Sequence, residues 1–181
     1  MESLRGQLLV AGPSLIDPNF RRTVVLVAEH DEEGAMGVVL NRPTEATVAD
    51  VLPDLVEIVP GEEPLFSGGP VGAQGVVVLA RFTDPTAAVA RIAGNVGFLA
   101  ADQDLAAAAT TVRRARAYAG HAGWGPGQLD AELADDGWIV VPHEPDDLFS
   151  EGPESLWSRV LERQGGSYAL VARMPLDPSL N

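Results

Sequence analysis

The sequence predicts an α+β domain built on a mixed, largely antiparallel sheet. Short apolar runs rich in valine outnumber segments with helical periodicity, and many of them lie too close together for the crossover that a parallel pair requires. Corners made of glycine and proline, such as Gly12-Pro13, Asn41-Arg42-Pro43 and Gly68-Gly69-Pro70, separate the runs. At 181 residues the chain is expected to form a single domain over 1–181, since two halves would each bury little surface.

Taken in order, Gln7–Ala11 reads as a first strand, and Asp17-Pro18-Asn19 as a turn in which the proline holds Asp17 extended. Val24–Ala28 is continuous, β-branched and short, as expected of a strand covered on both faces. His30–Gly34 is a hairpin-length polar loop, and Met36–Leu40 is the returning strand. Pro43 then stops the run, because it lacks an N–H and excludes Arg42 from helical geometry. Thr47 suits the N-cap of a short helix over Val48–Leu52, which Pro53 ends.

Leu65–Ser67 is a brief strand leading to the Gly68–Val71 corner, and Val76–Ala80 gives the clearest strand signal of the chain. Asn95–Ala100 reads as a weaker strand, and Asp102 or Asp104 can cap an alanine-built helix through Leu105–Thr111. Arg116–Ala119 is expected to be a strand that delivers the chain to a glycine-rich corner at Gly120–Gly127, followed by a helix from Pro126 to about Ala134. Trp138–Val141 is the next strand. Pro153 starts a helix whose Leu156, Trp157, Val160 and Leu161 form one apolar stripe, and Gly165-Gly166 ends it. Tyr168–Ala172 reads as a last strand.

Twelve basic residues, all arginine, stand against 26 acidic ones, for a net charge of −14. So acidic a body repels a phosphate backbone, and direct nucleic-acid binding is not expected; the best basic patch is Arg113, Arg114 and Arg116. No cysteine is present, which excludes a disulfide framework and thiolate chemistry, and no lysine, which excludes the phosphate-gripping lysine of a P-loop and any Schiff base. His30, His121 and His143 follow no metal-ligand spacing, so neither metal nor cofactor is expected. No stretch is apolar enough to span a bilayer, and the expected compartment is the cytoplasm.

Gly123-Trp-Gly125-Pro-Gly127 looks like a dinucleotide fingerprint, but Gln128 occupies the place of the third required glycine. Gly68-Gly69 offers backbone N–H groups of the kind that cradle anions, with a tight turn as the simpler reading. Trp124, set between two glycines, either packs in the core or lies flat over a ligand. Gln128 and Glu132 either lock the corner beside them or face a partner.

Several pieces, in order, resemble the AlgH/YqgE family of bacterial proteins along essentially the whole chain. They are Gly6-Gln-Leu-Leu-Val-Ala-Gly-Pro13, Asp17-Pro-Asn-Phe-Arg-Arg-Thr-Val24, Gly37-Val-Val-Leu-Asn-Arg-Pro43, Gly68-Gly-Pro-Val71, Ala119-Gly-His-Ala-Gly-Trp-Gly-Pro-Gly-Gln-Leu129 and Pro178-Ser-Leu-Asn181. His121 stands where that family usually has tyrosine, and Asp130 where it has glutamate. The resemblance implies an α+β domain whose branched, barrel-like sheet is surrounded by helices. It also implies a link by name to the regulation of alginate genes, and supplies no catalytic residue.

Three corners are therefore expected to converge on one surface, with Asn41, Arg42, Pro43, Gly68, Gly69, Pro70, His121, Trp124, Gln128 and Glu132 as candidate binding residues. The function expected is that of a binding or regulatory domain for a small molecule or protein partner, with no established enzymatic activity. One alternative is an enzyme using His121 or Glu132 as general acid or base in a cleft. The other is a transcriptional regulator acting through a protein partner rather than by direct DNA contact.

Overall fold

The structure, a computed structural model, describes residues 2–88, 90–99 and 104–176. The first apolar runs form strands β1 (Gln7–Ala11), β2 (Val24–Asp31) and β3 (Gly34–Val39). The expected hairpin is present with a tighter turn, since β2 runs on to Asp31, which pairs with Gly34. A strand not expected from the sequence, β4 (Pro43–Thr47), follows the Asn41–Pro43 corner. Thr47 caps α1 (Val48–Val51) as predicted, its side chain accepting from the Asp50 N–H.

Next come β5 (Pro64–Ser67), the long β6 (Val71–Phe82), a second unexpected strand β7 (Ala90–Ala93), and β8 (Val96–Phe98). Asp104 caps α2 (Leu105–Ala109), accepting from the N–H groups of Ala106 and Ala107 at 3.0 and 3.4 Å. The alternative cap Asp102, the end of the predicted 95–100 strand and the 178–181 motif lie outside the described residues. β9 (Val112–Trp124) is followed by α3 (Gln128–Ala134), β10 (Trp138–Pro142), α4 (Leu156–Gln164) and α5 (Gly166–Ala172).

Two elements depart from expectation. The run Gly120–Trp124 is not a corner but the second half of β9, and the turn is confined to Gly125–Gly127. Tyr168–Ala172 is helical rather than extended: Gly165, at φ 71°, ends α4 and redirects the chain into α5, which buries Ala172 against the core.

The strands follow the order β10-β1-β2-β3-β9-β6-β8-β7, with neighbours antiparallel, while β5 joins β9 in parallel and β4 pairs with β5. β9 is the branch point. Its pairing with β6 runs from Val112 to His121, and it also pairs with β5 at Tyr118 and Ala119 and with β3 from Ala122 to Trp124. The sheet is mixed, largely antiparallel and branched, but among the described residues it does not close into a barrel, since the terminal strands β10 and β7 are not paired there. Side chains fill the space within the curl instead: Leu8 and Val10 of β1 share an apolar cluster with Ile92 and Val96.

Both faces of β1 and β2 are covered, as their unbroken apolar runs require. Leu8, Val10, Val24 and Leu26 pack in one cluster with Leu156, Trp157, Val160 and Leu161, the predicted stripe of α4. Leu9, Ala11, Val25 and Val27 pack in another with Trp124, Leu129 and Trp138. A third cluster lies between β6, β9, α1 and α2. Among the described residues no helix is long and apolar enough to cross a membrane.

Candidate functional site

The three corners adjoin through the main chain. Ser67 donates its N–H to the Arg42 carbonyl at 2.8 Å, Val39 donates to the Gly68 carbonyl at 2.9 Å, and Gly68 donates to the Ala119 carbonyl at 2.8 Å. That last bond removes the Gly68 N–H from any anion-binding role. The glycines permit close backbone approach: a methyl group on Gly68 would lie 2.3 Å from the Gly120 carbonyl oxygen, and one on Gly69 2.2 Å from the His121 carbonyl carbon. Gly69 also takes φ 146°, which other residues resist. Pro70 is exposed beyond this contact, and Pro43 pairs with Phe66 across β4 and β5. The meeting place is thus packed main chain with Pro70 at its rim.

The side chains from the glycine-rich segment do not share one cleft. His121 lies against Gly72, on the face of β9 opposite Ala122 and Trp124, as alternation along a strand dictates. Trp124 is 6% exposed and packs in an aromatic group, 5.9 Å from Trp138 edge-on and 6.1 Å from Phe20 stacked. Glu132 ties this group together: one carboxylate oxygen accepts from the indole N–H groups of Trp124 and Trp138 at 2.9 and 2.8 Å, and the other accepts from Gln128 at 2.9 Å. Gln128 in turn accepts the Gly125 N–H at 3.0 Å. The i, i+4 spacing on α3 places both side chains over the corner, where they lock it internally.

Asn41 and Arg42 reach in a different direction. Asn41 accepts from the Val24 N–H and donates to the Arg22 carbonyl, both at 2.9 Å. The Arg42 guanidinium donates to the carbonyls of Asn19 at 2.9 Å and Arg21 at 3.0 Å. Burial lowers its pKa from the ordinary arginine value, with Asp17 opposing. These two residues therefore fasten the loop of residues 17–22, whose Asp17 carboxylate accepts from the Asn19 N–H at 2.7 Å in the predicted turn.

That loop forms one wall of a cleft of about 490 Å³, lined by Leu15, Ile16, Arg21, Arg22, Trp157 and Val171 among others and bordered by the Met174–Leu176 segment. None of the ten candidate residues lines it. No spacing rule connects residues 15–22 with 157 and 171, so sequence reasoning had no signal for it; the nearest was the Asp17–Val24 piece of the family resemblance.

A family model described as AlgH-like matches residues 8–169. A UPF0301 protein of Streptomyces coelicolor is 46% identical over 187 aligned residues, spanning 100% of this chain and 97% of that protein. A UPF0301 protein of Mycolicibacterium smegmatis is 38% identical, spanning 97% and 90%. Among solved structures, a crystal structure of a Corynebacterium diphtheriae protein superposes with a TM-score of 0.86 at 31% identity, covering 96% of this chain and 94% of that one. The solution structure of the AlgH protein from Pseudomonas aeruginosa superposes with a TM-score of 0.70 at 30% identity, covering 97% and 96%.

Proposed function

We propose that this chain, which belongs to the AlgH-like family, is a cytoplasmic binding or regulatory protein whose ligand or partner seats in the cleft beside Arg21 and Arg22. The chemistry of the lining supports this reading. Among the described residues it consists of apolar side chains, glycine and two arginines. Such a surface supplies contact area and positive charge, but no group that exchanges a proton near neutral pH.

The enzymatic alternative draws less support. Glu132 has its oxygens engaged by three donors, and His121 lies on the other face of β9. Direct DNA contact is opposed by the net charge of −14 and by the pairing of the basic patch, in which Arg114 and Arg116 lie 3.5 and 3.4 Å from Glu63. An effect on transcription would then pass through a bound partner.

Native mass spectrometry of protein isolated gently from its own cells tests the reading. Ile16 is 77% exposed, so an Ile16→Asp variant keeps its fold while placing a charge in the cleft. A co-purifying small molecule or polypeptide is expected on the unaltered protein and not on the variant. No bound species at all, or one that persists on Ile16→Asp, would overturn the assignment.

A further inference from the structure

Arg21 and Arg22 are neighbours in sequence, and neighbouring side chains of an extended chain point apart. Here both line one cleft, and Arg22 takes φ 54°, a left-handed conformation that non-glycine residues rarely adopt. The carbonyls on this bend are held by Asn41 and Arg42, which bind Arg22 and Arg21 respectively. Backbone held in a sparsely populated region by dedicated side chains, at the lip of a cleft, is a frequent mark of a functional site.

The guanidinium of Arg22 lies 4.7 Å over the Trp157 ring, and the Trp157 indole is itself fixed by its N–H on the Ala11 carbonyl at 2.9 Å. Arg21 donates one N–H to the Leu176 carbonyl and Arg22 one to the Met174 carbonyl, which leaves further donors on each fork. Neither is in an ion pair among the described residues, whereas Arg114, Arg116, Arg163 and Arg173 all are. Burial foremost, and the charge of Arg21 after it, lower the Arg22 pKa from its ordinary value. Two like charges line one cleft whose described lining has no counter-charge. An anion relieves that repulsion, and planar guanidinium forks match oxyanions well.

The rest of the cleft is apolar, with Leu15, Ile16 and Val171 beside the arginines, and its volume of about 490 Å³ is that of a small-molecule site. We propose that the cleft takes a small amphiphile with an oxyanion head, the head between Arg21 and Arg22 and the hydrocarbon body along Leu15, Ile16 and Val171. Asn41 and Arg42 are its positioning residues. This assignment rests on the cleft being the binding site.

Calorimetric titration of the full chain with decanoate, and with decanol as the uncharged counterpart, tests it. Decanoate is expected to bind saturably and at least about tenfold more tightly than decanol, because only its head carries a negative charge to pair with the guanidinium donors. The Arg21→Gln, Arg22→Gln double variant should bring decanoate down to the level of decanol, and Ile16→Asp should weaken both. Asn41→Ala should weaken decanoate and spare decanol, whereas a merely structural loss would weaken both; Arg42→Gln gives the same readout if the first variant does not fold. Equal affinities for the two probes in the unaltered protein would overturn the charged grip and leave the cleft assignment standing. If neither probe binds while a cleft-dependent species still co-purifies, this ligand class alone is overturned; if that species is missing as well, both assignments fall.

Discussion

The hydroxyl of Tyr118 is buried in the core with no hydrogen-bond partner among the described residues. An orphaned buried hydroxyl contributes its desolvation cost without a compensating bond, so Tyr118→Phe should be neutral or stabilising, by up to about 1 kcal/mol in urea unfolding. A loss beyond that would reveal a bond the geometry does not contain. Its ionisation adds a pH signature. Burial pushes the phenol pKa up well above its ordinary value, with the Arg116 charge opposing and Glu63 reinforcing. Above about pH 10 the unfolded chain releases this proton while the folded chain keeps it, so stability falls with rising pH across that window. In the Phe variant this component of the alkaline decline should vanish.

The behaviour of β9 explains both the successes and the failures of reading elements from the sequence. Val24–Ala28, the α4 stripe and the Thr47 cap were legible because burial on two faces, on one stripe and at a helix start each leave a periodic or chemical mark. Gly120–Trp124 was misread as a corner because glycine serves close approach as well as turning. β9 is crowded by β3, β5 and β6, and at Gly120 a side chain would run into the Gly69 and Val71 carbonyl oxygens, at 2.5 and 2.9 Å from an added methyl group. Gly69→Ala should therefore cost roughly 3 kcal/mol or more, combining a backbone clash with a disfavoured φ; a midpoint in urea close to that of the unaltered protein would refute this packing. α5 was misread because a short apolar run has no decisive period, and β4 and β7 were missed because they are short and partly polar. The Asn41–Pro43 and Gly68–Pro70 segments adjoin β5 and β9 through the main chain, but the candidate side chains do not form one cleft. Alternation along β9 separates His121 from Trp124, and α3 turns Gln128 and Glu132 back onto the corner. The cleft beside Arg21 and Arg22 was not legible, because its walls come from distant segments that share no motif.

Across the molecule, charge is the dominant surface property. Of 26 acidic residues, five (Glu63, Glu144, Asp147, Glu151 and Glu162) are in ion pairs among the described residues. Self-repulsion at −14 opposes compaction and is screened as the Debye length contracts to about 8 Å at physiological ionic strength. The thermal midpoint at pH 7 should therefore rise when salt is added from a low-salt buffer, and a fall would mean that the few local pairs outweigh the general repulsion. The cleft has its own whole-chain consequence. One wall is contributed by residues 12–22 and the other by residues 157–176, with strands β2 to β10 lying between them in the chain. On a ribosome the loop bearing the two arginines emerges early and waits, without a receptor to belong to, until the far wall has been translated. Occupancy would then certify a finished polypeptide, and no excised peptide could imitate it.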